Sequence, residues 1–278
     1  MKRLSILFVL TASLWLNTKA QQIKTPSPSP TQYVRQDFGL SSIELSYSRP
    51  GIKGRTIFGD LVPYGKVWRT GANQATTLTF GDTVNIGGTR IAPGKYGLLT
   101  IPGADSWIVI ITHQTDVTNP AAYKQDQDVV RVTVHPQQLP FSQESFTILF
   151  ADLTPNSCGL QLIWDNTLVT LPIQTDIDQR IMAQIDNTMN KDTHPYFAAA
   201  MYYIDNGKDL DKALGWLNKA AELDPNNYNL FYQKARCQAK LGKKKEAIAS
   251  AQKSIELAKT ANNADFVKLN EKLIASLQ

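Results

Sequence analysis

The chain is short of cysteine, of histidine and of long apolar runs, and each shortage removes a class of protein. Two cysteines in 278 residues, Cys158 and Cys237, cannot build a disulfide framework. They fall in stretches of different periodicity and read as small buried apolar residues rather than as a bridge across a domain boundary. The three histidines, His113, His135 and His194, stand far apart with no HExxH, HxH or Cys/His spacing, so neither a metal nor a cofactor is expected. His113, at a strand end beside Asp116, comes nearest to a general base, and His194 precedes Pro195 at a helix start. No Gly-x-Ser-x-Gly elbow, phosphate loop or dinucleotide fingerprint occurs, and the glycines of "GANQAT" and "GGTRIAPG" lack the strand-to-helix context such loops need. Asp126 and Asp128, in "YKQDQDVV", read as the solvated edge of a turn, not as two carboxylates set across a cleft. A non-catalytic binding protein is therefore the expectation, with a hydrolase acting on an envelope polymer or glycan as the alternative.

The longest apolar run, Leu4 to Leu16, falls below the roughly 18 to 20 residues that span a bilayer, so no membrane span is expected. With Lys2 and Arg3 before it and Thr18-Lys19-Ala20 after it, residues 1–20 read as a secretory signal cut ahead of Gln21. That predicts export to the periplasm or the cell surface. No cysteine near the cut offers a thiol for lipid, and no paired arginines mark export in the folded state. Losing the signal removes three basic residues and leaves 26 basic against 24 acidic, a balance that gives no reason to expect nucleic acid as a partner. Residues 21–33, with the Pro/Ser-rich "IKTPSPSPTQ", read as an extended linker.

From 34 to 174 the apolar residues alternate. Ile43, Leu45 and Tyr47 share one face, Leu78 and Phe80 another, and "SWIVIIT", "VVRVTV", "FTILFADL", "GLQLIWD" and "LVTLPI" follow, punctuated by Gly, Pro, Asn and Asp. Short strands with no helix between them predict an all-β domain, an antiparallel β-sandwich. Asp165-Asn166, between two of these runs, reads as a tight hairpin.

Over 175–278 the period becomes helical, so an all-α domain follows. Ile177, Ile181, Ile185 and Met189 form one stripe, with Asp176 or Asp178 placed to cap it. A longer regularity is laid over this. Ala213, Leu217, Ala220 and Leu223 recur 34 residues on as Ala247, Ala251, Ser254 and Leu257. That spacing, with "NGKDLDKAL" and "LGKKKEAI" as turns and "ELDPNN" as a repeat ending, resembles the tetratricopeptide repeat over Ala198 to Lys259. The resemblance implies a protein partner. Its departures are an extra residue between Gly207 and Ala213, Phe231 where Trp is usual, and Lys259 where the second repeat lacks its Pro. Lys243, Lys244 and Lys245 read as a solvated helix start.

One stretch carries chemistry. "YSRPGIKGRTIFGDLVPYGKVWRTGANQATTLTF", Tyr47 to Phe80, holds Arg49, Lys53, Arg55, Lys66 and Arg69 against one acid, Asp60, in a domain that is otherwise acidic. Phe58, Tyr64 and Trp68 beside these charges offer guanidinium stacking and a fork for a carboxylate, phosphate or sulfate, and Asn73 adds a neutral donor and acceptor. The candidate ligand residues for a small anion are Arg49, Lys53, Arg55, Tyr64, Trp68, Arg69 and Asn73. A second reading stays open, in which the arginines satisfy backbone carbonyls of a glycine-rich connection while Trp68 and Phe58 plug the core. The ordered blocks Ser48-Arg49-Pro50, Lys53-Gly54-Arg55, Phe58-Gly59, Pro63-Tyr64-Gly65, Trp68 to Asn73 and Pro93-Gly94-x-Tyr96 resemble the domain-of-unknown-function family numbered 2911, found in exported bacterial proteins. That resemblance implies location and architecture, and no reaction.

Overall fold

The computed structural model describes residues 25–191 and 194–278; the signal expected over 1–20 and the first residues of the linker lie outside them. The chain divides into two compact units between Asp176 and Ile177.

The first unit is all-β. In chain order its strands are β1 (Thr31–Phe38), β2 (Ser41–Ser48), β3 (Thr77–Phe80), β4 (Val84–Ile86), β5 (Thr89–Ile91), β6 (Gly94–Ile101), β7 (Trp107–Thr112), β8 (Asp128–Val134), β9 (Gln137–Ala151) and β10 (Ser157–Gln174). They form a six-stranded sheet, β1-β2-β3-β6-β7-β8, and a four-stranded sheet, β5-β4-β10-β9, with neighbours antiparallel throughout. The two inner faces share one core. Ile43, Leu45, Tyr47, Leu78, Phe80 and Leu98 from the first sheet meet Phe146, Ile148, Leu160, Leu162 and Leu171 from the second. Alternation decides which residues these are, because successive side chains on a strand leave opposite faces. Leu98 therefore enters the main core while Leu99 enters a smaller cluster with Ile110 and Val117 on the outer face. One hydroxyl joins the sheets: Tyr47 Oη accepts from Ile148 N at 2.9 Å and lies 3.2 Å from Ile148 O.

Two expectations for the β unit and its approach are corrected. The hairpin at Asp165-Asn166 does not form, because β10 runs straight through it with β9 as its partner on both sides. Asp165 does take the left-handed conformation (φ 52°), but it uses it in a bulge between register shifts, with Ser142 donating to its carboxylate at 2.7 Å. The linker also ends earlier than its composition suggests. Thr31 and Gln32 pair with β2, Pro30 O accepts from Arg49 N at 2.9 Å and Ser29 O accepts from Asn73 Nδ2 at 2.9 Å. Backbone groups held in this way belong to the domain.

The second unit is all-α: α1 (Asp178–Met189), α2 (Tyr196–Asp205), α3 (Leu210–Leu223), α4 (Tyr228–Lys240), α5 (Lys244–Thr260) and α6 (Ala264–Leu277). The 34-residue correspondence places Ala213 and Ala247, Leu217 and Ala251, and Ala220 and Ser254 at buried positions. Leu223 departs from it and is 74% exposed. Helices α2 and α4 end on left-handed Gly207 and Gly242, where Lys208 N and Lys243 N close back onto Tyr203 O and Gln238 O at 2.9 Å each. The extra residue of the first repeat has a use as well: Asp209 caps α3 through Lys212 N at 2.9 Å, whereas α5 has no side-chain cap. Neither Asp176 nor Asp178 caps α1, whose N-cap is Ile177. Asp178 instead accepts from Tyr202 at 2.6 Å and pairs with Lys208 at 2.7 Å, which holds its carboxyl below the usual range.

A basic cleft in the long β2–β3 connection

Residues 49–76 join β2 to β3 without forming a strand of either sheet, and the cleft is built into them. The connection is laced to β9 by Ile52 N to Glu144 O and Phe146 N to Pro50 O, both 2.9 Å. It is also strapped to β6, where Trp68 and Thr100 exchange two backbone bonds of 2.7 and 3.0 Å. Trp68 is thereby delivered to the core, nearly parallel to Trp164 at 5.7 Å between ring centroids and edge-on to Trp107. Phe58 meets Trp68, Trp107 and Trp164 edge-on. Such aromatic pairs contribute about 0.5–1.5 kcal/mol beyond their burial.

The backbone around this cluster adopts left-handed conformations at Thr70 and Gly59. Thr70, between Arg69 and Gly71, is fully buried with φ 56°, a conformation that β-branched residues rarely adopt. Hydrogen bonds fix it there: its hydroxyl pairs with Thr100 Oγ1 at 3.0 Å, and its carbonyl accepts from Thr76 Oγ1 at 2.6 Å. Gly59 has φ 91°, a conformation that favours glycine, and a Cβ there would press on the Tyr64 ring at 3.0 Å.

The seven sequence-derived candidates separate into two groups. Arg55, Trp68 and Arg69 line a cleft of about 330 Å³, together with Lys66, Leu61 and Trp164 among others. Arg49, Lys53, Tyr64 and Asn73 are not part of its lining. Arg49 is tied off inside the fold, donating to Phe146 O at 3.0 Å and Thr147 Oγ1 at 2.8 Å. Lys53 reaches Pro28 O at 3.5 Å, Asn73 holds Ser29 O, and the Tyr64 ring packs over Gly59.

The three cations at the cleft keep donors in hand. A guanidinium has five N–H donors. Arg55 uses two, to Ile52 O at 3.0 Å and Gly51 O at 2.6 Å, and Arg69 uses one, to Thr118 O at 2.7 Å. Arg69 Nε is buried without an acceptor. Among the described residues Lys66 makes no side-chain hydrogen bond or ion pair, and no residue lining the cleft is acidic. Arg55, Lys66 and Arg69 thus line one concavity with no acidic residue in its wall, a setting whose charge a bound oxyanion would balance.

One wall is invisible in the sequence of the connection itself. Pro120 lines the cleft, and Thr118 is the residue Arg69 holds, so the segment between β7 and β8 closes this side. That segment is anchored by Val117 and Tyr123 against the outer cluster and by a bond from Tyr123 Oη to Asp128, which Arg131 joins at 2.9 Å. Burial, then the hydrogen bond to Asp128, pushes the Tyr123 phenol up to about 12. Of the histidines, His113 stacks near Tyr96, His135 Nδ1 lies 3.0 Å from Asp105 O and His194 packs on Tyr196, and none lines the cleft. In the helical unit an apolar groove of about 390 Å³ is lined by Phe197, Leu223 and Leu230 beside His194.

Residues 29–173, just over half of the chain, match the family described as "Protein of unknown function (DUF2911)". Residues 180–254 match the family described as "Anaphase-promoting complex, cyclosome, subunit 3", a tetratricopeptide-like repeat. No curated protein matches the chain.

Proposed function

The chain belongs to the DUF2911 family, and from the cleft in that domain we propose an exported, non-catalytic binding protein whose β unit takes a small anion and whose helical unit contacts another protein. The observation that carries the anion site is that Arg55, Lys66 and Arg69 line a cleft with no acidic lining residue. A glycan hydrolase of the usual kind at the same cleft would need a pair of carboxylates flanking the scissile bond, and no Asp or Glu lines it, which is why the binding reading is preferred. The test is thermal unfolding of the chain from Gln21 onward against phosphate, sulfate and simple carboxylates. A ligand at a hundred times its Kd adds about 2.7 kcal/mol, which a melt resolves easily. We expect a saturable upward shift that disappears in Arg69→Ala; a flat response to every anion would remove the site.

Export rests on the signal-like composition of residues 1–20. Mass spectrometry of the native protein should find an N-terminus at Gln21, and retention of Met1 would contradict it. For the helical unit the tetratricopeptide-like match supports a protein partner, and the exposed Leu223 in its apolar groove supports that face as the contact.

A further inference from the structure

Resting on the anion reading, the cleft's lining says more about the ligand than its charge. We infer that the ligand is an amphiphile: an oxyanion head, carboxylate or phosphate, joined to a compact apolar or aromatic body. Alongside the three cations the cleft is lined by Leu61, Pro63, Val67, Pro120 and the Trp68–Trp164 pair. The indoles have no polar edge to offer. Trp68 Nε1 donates to Gly71 O at 3.1 Å and Trp164 Nε1 to Glu144 O at 3.2 Å, so the surface these indoles contribute to the lining is hydrocarbon. Leu61, 43% exposed, is an apolar side chain open to water at the cleft. The volume agrees. About 330 Å³ lies at the lower end of the roughly 300–1,000 Å³ of small-molecule sites and is far more than a lone oxyanion fills. The head would meet the unused donors of Arg55, Lys66 and Arg69 while the body covers Leu61 and Val67 and displaces water from them.

The inference is tested by isothermal calorimetry on the chain from Gln21 with pairs that share a head and differ in body. Inorganic phosphate, glycerol 2-phosphate and phenylphosphate form one series, and acetate with phenylacetate the other. Covering an aromatic body should make the phenyl member of at least one series about tenfold tighter than its relatives. Leu61→Ser, at an exposed position, should weaken the phenyl member more than the simple anion and so reduce that advantage, whereas Arg69→Ala should weaken every member of the series. Equal affinities within both series would overturn the amphiphile inference and leave the anion site standing. If none of the five binds, the anion site falls and this inference with it.

Discussion

At the residue scale, five cations of one stretch do different work, and the difference lies in what their guanidinium and ammonium groups touch. Arg49 is a strut: it ties the end of β2 to Phe146 and Thr147 on the opposite sheet. Arg49→Ala leaves two part-buried acceptors without their charged donor and should cost about 1–2 kcal/mol, read as a lowered midpoint in urea. Arg69→Ala, with one backbone bond at Thr118, should cost less stability and lose the anion response instead. The sequence shows the concentration of charge but cannot sort strut from ligand group, because the deciding carbonyls come from Phe146 and Thr118, far along the chain. At the same scale, burial pushes the Cys158 thiol up to about 11. In the unfolded chain it ionises near pH 9, so its contribution to stability is complete below pH 9 and is lost as pH rises through 11. Urea midpoints should therefore fall over that window, and Cys158→Ala should flatten the fall.

At the element scale, local chemistry that repeats was legible and chemistry settled by a distant partner was not. The 34-residue period identifies the helix pairs because each has the same small residues at its contacts; within them, Asn227 and Asn263 cap α4 and α6 through Leu230 N and Phe266 N. Asn263→Ala should lower stability by about 1 kcal/mol, seen in the thermal midpoint of the helical unit. The Asp165-Asn166 pair misleads because a left-handed residue serves a hairpin and a bulge equally. Only β9, paired with both halves of β10, decides between them. Asp165→Val should cost roughly 1–2 kcal/mol for the left-handed backbone, whereas Asp165→Gly should be tolerated, apart from the lost bond to Ser142. The cleft itself is an element-scale object. The connection supplies its cations, but Pro120 and Trp164 arrive from segments with no motif to announce them.

At the scale of the whole molecule, alternation giving way to helical period at about residue 175 locates the change of architecture to within two residues of the division after Asp176. The reason is physical: each unit buries its own core, and the pattern of apolar residues in each segment is set by the geometry of that core. Two cores predict two transitions. In denaturant melts, Leu78→Ala in the main β core should lower one transition by about 2–5 kcal/mol and leave the helical one in place. A single transition shifted as a whole would show the units to be energetically coupled.

The central claim is that the Arg55, Lys66 and Arg69 cleft receives an anion, and the most direct measurement is a nuclear magnetic resonance titration of the arginine Nε–H signals with phosphate. Saturable shifts are expected at Arg55 and Arg69, which line the cleft, and none at Arg49, which lies outside its lining. Shifts that grow linearly and alike at all three would be the response of a surface to ionic strength, and would contradict it.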